Sequence, residues 1–405
     1  RVPYAGQALT AALYLVWVVL LMMLGNLLRR ALGMAAVSIV LAWFVLAGGL
    51  LSALGALLQH YHVATVLDAM IAKKAASAVF GNLAQPNHFA SYATLALVSL
   101  AYLFARGSLN RTAAVACGVP LLLVLALSGS RSAWFYLAAL LALAAWLRVR
   151  DGNEINVRAL KCVVLLSAGF VLAQWLATLP LFAPEHGLVT TTSQRLFDSL
   201  PGPSARLQLW REAWWMFTQF PLLGAGFGQF AWHHFEFQTM FPVAIVLGPF
   251  NHAHNIVLHL LAETGLMGAL LIAGGALLWL WGLRLVTLDL EHWWLLGLLA
   301  VIGIHSMLEL PLWYAYFLGV AAIAVDHEEL AARRVLPPQS DAGAQRMADG
   351  VELHEAAHDH ARVRRDDELM REARLRQPPL EFEIDIVREF FGLVYENARK
   401  RQAAK

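Results

Sequence analysis

The stretch from Ser204 to Gly268 divides the chain into two groups of apolar segments. It begins with SARLQLWREAWWMFTQFPLLGAGFGQF (204–230) and ends with NHAHNIVLHLLAETGLMG (251–268). Arginines stand near its beginning and histidines stand near its end. Because these arginines and histidines lie between apolar runs, they favour a binding site for a polar or anionic ligand.

Composition places the chain among helical membrane proteins. Of its 405 residues, 59% are hydrophobic and 14% are charged, against roughly 25% charged residues in a soluble domain. Cys117 and Cys162 both lie in apolar runs, so we expect no disulfide framework. A spanning helix needs about 20 apolar residues, and such segments lie near 9–28, 31–57, 88–105, 112–127, 133–149, 159–178, 255–284, 293–310 and 312–326.

The predicted fold is therefore an all-α, polytopic transmembrane helical bundle. Segment 255–284 is long for a single span, and Gly265 and Gly268 are its expected break points. Residues 1–326 form the predicted bundle, with residues 180–253 as its large outer loop. Residues 327–405 are rich in charge, and we interpret them as a partly helical cytoplasmic tail.

Lysines and arginines orient the predicted bundle, because positive residues concentrate in cytoplasmic loops. Such residues follow every second apolar segment and predict a cytoplasmic position for those loops. The intervening loops then share the outer face. They are GNLAQPNH (81–88), SGSRSAW (128–134), the 180–253 segment and ELPLWY (309–314).

Three arginines of the outer face are candidate anion ligands. Arg131 lies between small residues at a predicted membrane boundary, where an arginine is costly unless it is paired. A guanidinium can bind a phosphate group through two parallel N–H groups. Arg206 lies in the first turn of a Trp-rich helix that Ser204 can cap and that we place on the bilayer surface. Arg211 points in a different direction, and contact with lipid headgroups is the alternative for each arginine.

The NHAHN segment brings His252, His254 and Asn255 to the start of a helix. His254 is the favoured functional histidine, and a structural donor is its alternative. A zinc site needs three or four ligands, but the chain has no HExxH motif and no cysteine cluster. Asn255, His259 and Glu263 fall on one helical stripe, which we expect to satisfy itself inside the bundle.

Two amides and one carboxylate complete the set of candidates. Gln85 and Asn87 can hydrogen-bond sugar hydroxyls or a phosphate, and capping of the next helix by Asn87 is an equal alternative. Glu309 can balance an arginine or orient His254, although a purely structural role weighs more.

These motifs together resemble the superfamily of O-antigen ligases, O-antigen polymerases and protein O-oligosaccharyltransferases. Arg206 with Trp210, FPLLGAGFGQF (220–230), His254–Asn255 and ETGLMG (263–268) carry the resemblance, and GNLAQPNHFASY (81–92) is similar to the protein-transferase branch. The resemblance implies a GT-C-like bundle in the bacterial inner membrane, with interfacial helices in a periplasmic loop. It also implies a metal-independent active site without cofactors that faces the periplasm.

The resemblance assigns roles to three residues as well. The family's periplasmic arginines match Arg131 and Arg206, its histidine matches His254, and its donor is a glycan on undecaprenyl diphosphate. Arginines stabilise the leaving diphosphate, and His254 takes the proton of the acceptor hydroxyl. Direct attack inverts the anomeric centre. Arg211, Gln85, Asn87, His252 and Asn255 are the predicted substrate-binding residues.

Several functions remain open at this point. The lipid A core of lipopolysaccharide is the favoured acceptor, a pilin-type protein is close behind it, and a glycan repeat, as in a polymerase, is third. A transporter would need ionisable residues deep within its spans, whereas this chain has almost all of them at helix ends. The only other expected partners are membrane lipids, and no nucleic acid is expected.

Overall fold

The computed structural model describes residues 5–72, 78–83, 85–150, 152–179, 205–240, 250–283 and 289–325. The predicted tail, 327–405, and its boundary at 326 lie outside the described residues. Residues 180–204 and 241–249 of the predicted outer loop, including the proposed cap Ser204, also lie outside them.

All regular elements of the described part are helical, which confirms the all-α prediction. The elements are α1 (Ala5–Leu32), α2 (Met34–His60), α3 (Pro86–Arg106), α4 (Arg111–Leu127), α5 (Ser132–Arg150), α6 (Glu154–Leu176), α7 (Ala205–Gln219), α8 (Phe230–Met240), α9 (Ile256–Gly282), α10 (Leu290–Ser306), a 3₁₀ turn (Pro311–Trp313) and α11 (Ala315–Val325). Six of the described helices are long and apolar enough to cross a membrane, namely α1, α2, α3, α5, α6 and α9, and three shorter apolar helices are α4, α10 and α11.

Helix α3 is the centre of the bundle. It is almost wholly buried and packs against α2, α4, α5, α6 and α10. Small residues allow this close packing, because a Cβ placed on Gly49 of α2 would lie 2.3 Å from the Cβ of Ala96. By contrast, α1 and α9 are mostly exposed, as expected for helices that face lipid.

The loop after α7 and the start of α9 lock together through glycines. The amide N–H groups of Leu266 and Met267 donate to the carbonyls of Pro221 and Leu222, at 2.9 and 3.1 Å. A Cβ on Gly224 would lie 2.3 Å from the backbone carbon of Glu263. We call this unit, Pro221–Phe230 with Ala262–Met267, the glycine clasp.

Gly265 and Glu263 complete the glycine clasp. Gly265 has φ 64° and ψ −167°, which breaks the helix of α9 as predicted, whereas Gly268 continues the helix. The Glu263 carboxylate accepts hydrogen bonds from the amides of Gly228 and Phe230, at 2.8 and 3.0 Å. His259 lies 3.5 Å from the same carboxylate. His259 and Glu263 of the predicted stripe therefore contact each other inside the protein, as expected. The prediction does not hold for the whole stripe, because Nδ1 of His259 is buried without a hydrogen-bond partner in the described residues and Asn255 bonds to Met307 instead.

The predicted outer segments meet at one end of the bundle. Hydrogen bonds join Asn87, Ser130, Arg206, His254 and Glu309, which come from five separate parts of the chain. The prediction that these segments share one face is confirmed by these contacts. The side of the membrane on which they lie stays a prediction.

Candidate active site

Glu309 is the centre of the polar cluster at this end. It follows α10, and its side chain is 7% exposed. Oε1 accepts a hydrogen bond from Nη2 of Arg206 at 2.9 Å and another from Nδ2 of Asn87 at 3.1 Å. Oε2 contacts Nδ1 of His254. We call Asn87, Arg206, His254 and Glu309 the Glu309 cluster.

The N-terminal ends of helices α3 and α9 position two partners of Glu309, Asn87 and His254. Gln85 caps α3 by accepting the amide of His88 at 2.6 Å, so Asn87 lies in the first turn. The alternative that Asn87 itself caps this helix is therefore wrong. Asn255 caps α9 by accepting the amide of Leu258 at 3.1 Å, and its Nδ2 donates to the carbonyl of Met307 at 3.3 Å. The second bond ties the start of α9 to the turn that carries Glu309.

The backbone of His254 is left-handed, with φ 52°. Few residues other than glycine adopt this conformation, and those that do concentrate at functional sites. The Asn255 cap on one side and the contact with Glu309 on the other hold it in place. The backbone conformation thus directs the imidazole towards the carboxylate.

Glu309 is ionised over the ordinary pH range. Burial alone raises the pKa of a carboxyl group, but the hydrogen bond and charge of His254 and the charge of Arg206 outweigh burial and lower the pKa of Glu309 to about 2. An ionised carboxylate only accepts hydrogen bonds. Nδ1 of His254 is therefore the donor, and in the neutral imidazole the lone pair lies on Nε2.

His252 packs edge-on against His254, with ring centroids 4.2 Å apart. Burial lowers the pKa of His252, and the neighbouring His254 lowers it further. A positive charge on His252 is therefore disfavoured. Nδ1 of His252 is buried and has no hydrogen-bond partner within the part of the chain that the structure describes.

His252, His254 and Glu309 are also a possible metal-binding group. Their ligand atoms lie within 4.8 Å of one another, and three protein ligands suffice for a catalytic zinc ion. However, the Arg206 guanidinium already lies 2.9 Å from the same carboxylate. A divalent cation would meet this positive charge, so the geometry favours an arginine-based site, and metal independence stays a prediction.

A buried hydroxyl chain fixes the orientation of the Asn87 amide. Oγ of Ser130 donates to Oδ1 of Asn87 at 2.7 Å and lies 2.6 Å from Oγ of Ser132. Because Oδ1 accepts from Ser130, Nδ2 must point to Glu309. The sequence did not single out Ser130. Gln85 and Asn87 both have structural partners here, and their contact with substrate stays a prediction.

The three candidate arginines occupy different environments. Arg206 belongs to the Glu309 cluster, and about a third of its side chain is exposed. Arg131 is exposed, between the buried Ser130 and Ser132 at the start of α5. Arg211 is exposed on α7, about 140° around the helix from Arg206 at 3.6 residues per turn. The structure thus brings Arg206, and not Arg211, to Glu309.

Glu309 is the residue that the sequence undervalued. Its position before Pro311 at an outward helix end gave only a weak signal. The structure gives it both of the roles that were considered, balancing an arginine and orienting His254.

Three family models match parts of this chain. Family models match for O-antigen ligase over residues 116–273, for protein glycosylation ligase over 79–104 and for the C-terminal part of a virulence factor membrane-bound polymerase over 293–334.

Two curated relatives come from Acinetobacter baylyi. The chain is 27% identical to a general O-oligosaccharyltransferase over 323 residues, which cover 77% of this chain and 54% of that protein. It is 24% identical to a ComP-specific O-oligosaccharyltransferase over 237 residues, which cover 58% of this chain and 41% of that protein. The chain thus spans about half the length of the curated relatives it matches.

Proposed function

The chain belongs to the O-antigen ligase superfamily, and on this premise we propose that it is a membrane O-oligosaccharyltransferase. It moves a glycan from undecaprenyl diphosphate to an acceptor hydroxyl at the periplasmic face of the bacterial inner membrane. The Glu309 cluster carries this proposal, because it joins an oriented imidazole to an arginine at one end of the bundle.

We infer a protein acceptor rather than the lipid A core that the sequence alone favoured. Both curated relatives are O-oligosaccharyltransferases, and a protein glycosylation ligase model matches residues 79–104. The O-antigen ligase model over residues 116–273 supports the lipid A core as the second choice.

His254 acts as the general base in this proposal. The Glu309 carboxylate accepts the Nδ1 proton, so Nε2 receives the proton of the acceptor hydroxyl. As the imidazolium forms, the ionised carboxylate stabilises its charge. The hydroxyl oxygen then bonds the anomeric carbon, the bond from that carbon to the diphosphate oxygen breaks, and the configuration inverts.

Arg206 and Arg131 stabilise the diphosphate as it leaves. Arg206 uses Nη2 for Glu309, and its guanidinium retains further N–H donors. Glu309 holds this guanidinium close to the imidazole, so donor and acceptor meet between them. Fixed positive charge of this kind stabilises the charge that develops in the transition state.

In vitro transfer tests the acceptor. Purified protein in liposomes receives an undecaprenyl diphosphate-linked glycan with one acceptor at a time: a pilin-type protein, lipopolysaccharide core, or more lipid-linked glycan. We expect glycosylated protein as the main product. Transfer to the core alone would identify a lipopolysaccharide ligase, and elongated lipid-linked glycan would identify a polymerase.

A further inference from the structure

We propose that an apolar tip, formed by Pro221–Leu223 and Phe227 of the glycine clasp and by the adjoining Phe220, inserts into the membrane leaflet that faces the Glu309 cluster. The tip thereby fixes the height of Arg206 and His254 relative to the lipid headgroups. The exposure and the contacts of the tip support the insertion independently, whereas its effect on catalysis rests on the proposed function.

The tip exposes large apolar side chains that the protein leaves uncovered. Leu222 is 66% exposed and Leu223 is 75% exposed. Phe220 and Phe227 are also exposed in part, although their rings contact His233 and Trp313. Trp232 and Phe235 of helix α8, which follows the clasp in sequence, are exposed as well. Contiguous apolar surface of this kind marks an interaction site.

The apolar surface continues directly onto a membrane-spanning helix. The carbonyls of Pro221 and Leu222 accept the amides of Leu266 and Met267 in α9. Beyond this point, α9 exposes Met267, Leu270 and Leu271, the last of them 77% exposed. Because α9 is a candidate span, these side chains face hydrocarbon, and the tip lies beside them.

The length of helix α9 places the tip near one edge of the hydrocarbon core of the membrane. From Leu266 to Gly282, α9 has roughly 17 residues and a length of about 25 Å. The hydrocarbon core is about 30 Å thick. The break at Gly265 therefore lies near one edge of the core, and the backbone bonds hold Leu222 at the same level.

Part of the tip's backbone is hydrogen-bonded within the protein, as a membrane environment favours. Unsatisfied N–H and C=O groups are costly in lipid. Pro221 has no N–H group, and its carbonyl is bonded. The amide of Gly224 donates to the carbonyl of Phe220 at 2.9 Å, and the amide of Ala225 donates to the carbonyl of Ala262 at 2.9 Å. Because the tip is bonded to α9, a candidate span, lipid is a better occupant than a soluble partner.

The glycine clasp connects the apolar tip to the two helices, α7 and α9, that position Arg206 and His254. Helix α7, which begins beside Arg206, ends at Gln219, directly before the tip. Helix α9, which follows His254, is held by Glu263 and the backbone bonds of the clasp. Insertion of the tip therefore sets the height of both Arg206 and His254 at the level where a lipid-linked diphosphate lies.

Fluorescence quenching tests the insertion. Leu223→Cys is made in a Cys117→Ala/Cys162→Ala background, labelled with a polarity-sensitive dye and reconstituted with bromine-labelled lipids. Leu271→Cys in α9 is the lipid-facing control, and Ser108→Cys in the exposed loop after α3 is the aqueous control. We expect the dye at 223 to lose as much fluorescence as the dye at 271.

Two outcomes would overturn the insertion. Quenching at 223 as weak as that at 108 would place the tip in water. Crosslinking of Leu223→Cys to a second copy of the chain, with loss of quenching, would identify a protein contact instead.

A transfer assay tests the role of the anchor. The variant Leu222→Ser/Leu223→Ser is compared with the wild type on two donors, the long-chain lipid donor in liposomes and a short-chain, water-soluble diphosphate donor. We expect about a tenfold rise in KM for the lipid donor, since two exposed leucines lose contact with lipid, and no change for the soluble donor.

The two donors distinguish a failure of the anchoring role from a failure of the proposed function. Equal loss on both donors, at an unchanged melting temperature, would overturn the anchoring role. Inactivity of the wild type on both donors would contradict the proposed function, while the quenching experiment still decides the insertion.

Discussion

The two ends of α10 each hold a buried glutamate, and the two glutamates are held differently. Glu291, in the first turn, binds Nη1 of Arg106 at 2.6 Å and the hydroxyl of Tyr102 at 3.2 Å. Glu309, after the last turn, binds Arg206, Asn87 and His254. Each carboxylate has an arginine partner, but within the described part of the chain only Glu309 also contacts a histidine.

This difference distinguishes a structural glutamate, Glu291, from a candidate active-site glutamate, Glu309. Tyr102 and Arg106 lie one turn apart on α3, and the helix dipole favours a carboxylate at the start of α10. Glu291 therefore joins two helices without strain. Glu309 lies at the end of a helix, where the dipole disfavours a negative charge, and one of its partners has a left-handed backbone. Violations of local preference of this kind are expected at functional sites.

The largest expected effect is the loss of the imidazole. His254→Ala should lower the transfer rate about a hundred- to ten-thousandfold, because it removes the general base. Donor binding should remain. The matched control is His292→Ala at the other end, where His292 lies 2.6 Å from Asp289, and it should transfer at the wild-type rate. Single-turnover transfer and donor binding are measured at equal, folded expression.

Two results would change the assignment of the base. A His254→Ala protein that transfers normally would make His252 the candidate base. Loss of donor binding in the same variant would make His254 a phosphate ligand.

Removal of an arginine should have the next largest effect. Arg206→Ala and Arg131→Ala should each lower the rate about a hundred- to a thousandfold and weaken donor binding. Lysine should rescue only in part, because an ammonium cannot make the planar two-pronged contact. Arg106→Ala is the control, and it should lower the melting temperature without changing donor affinity. Full rescue by lysine would reduce the role of Arg206 to a point charge.

Glu309→Gln should lower the rate about tenfold to a hundredfold, since it removes a partner that orients the base. Its KM for the donor should change less than its kcat. Glu291→Gln should keep kcat and lose about 1–3 kcal/mol of stability as a buried bond is lost. Equal losses of kcat in the two variants would contradict the distinction between a structural Glu291 and an active-site Glu309.

The pH dependence of stability provides a second measurement on Glu309. The pKa of Glu309 is lowered from 4.5 to about 2 in the folded protein. The stability gained from its ionised form is therefore complete above the ordinary carboxyl range and is lost as the pH falls towards 2. The advantage of the wild type over Glu309→Gln in melting temperature should shrink over this acidic range.

The smallest expected effect is that of metal removal. Because Arg206 already supplies the positive charge at Glu309, EDTA should leave the transfer rate of well-washed protein unchanged. Loss of activity that only added Zn²⁺, Mn²⁺ or Mg²⁺ restores would instead assign His252, His254 and Glu309 to a metal.

The sequence alone determined the parts of this protein that depend on local chemistry. Apolar runs predicted the helices to within a few residues, because each run can bury its backbone polar groups only as a helix. Gly265 marked the break in α9, since glycine tolerates a positive φ. The residue types of Arg206 and His254 also pointed to the site without any structure.

Only the tertiary structure decided how these parts meet. Glu309 lies 103 residues from Arg206 and 222 from Asn87, and no local periodicity encodes such pairings. The same holds for the glycine clasp, in which Gly224 and Glu263 lie close enough to exclude a Cβ. A carboxylate becomes an orienting partner only when packing buries it beside an imidazole and a guanidinium, and packing is a property of the whole chain.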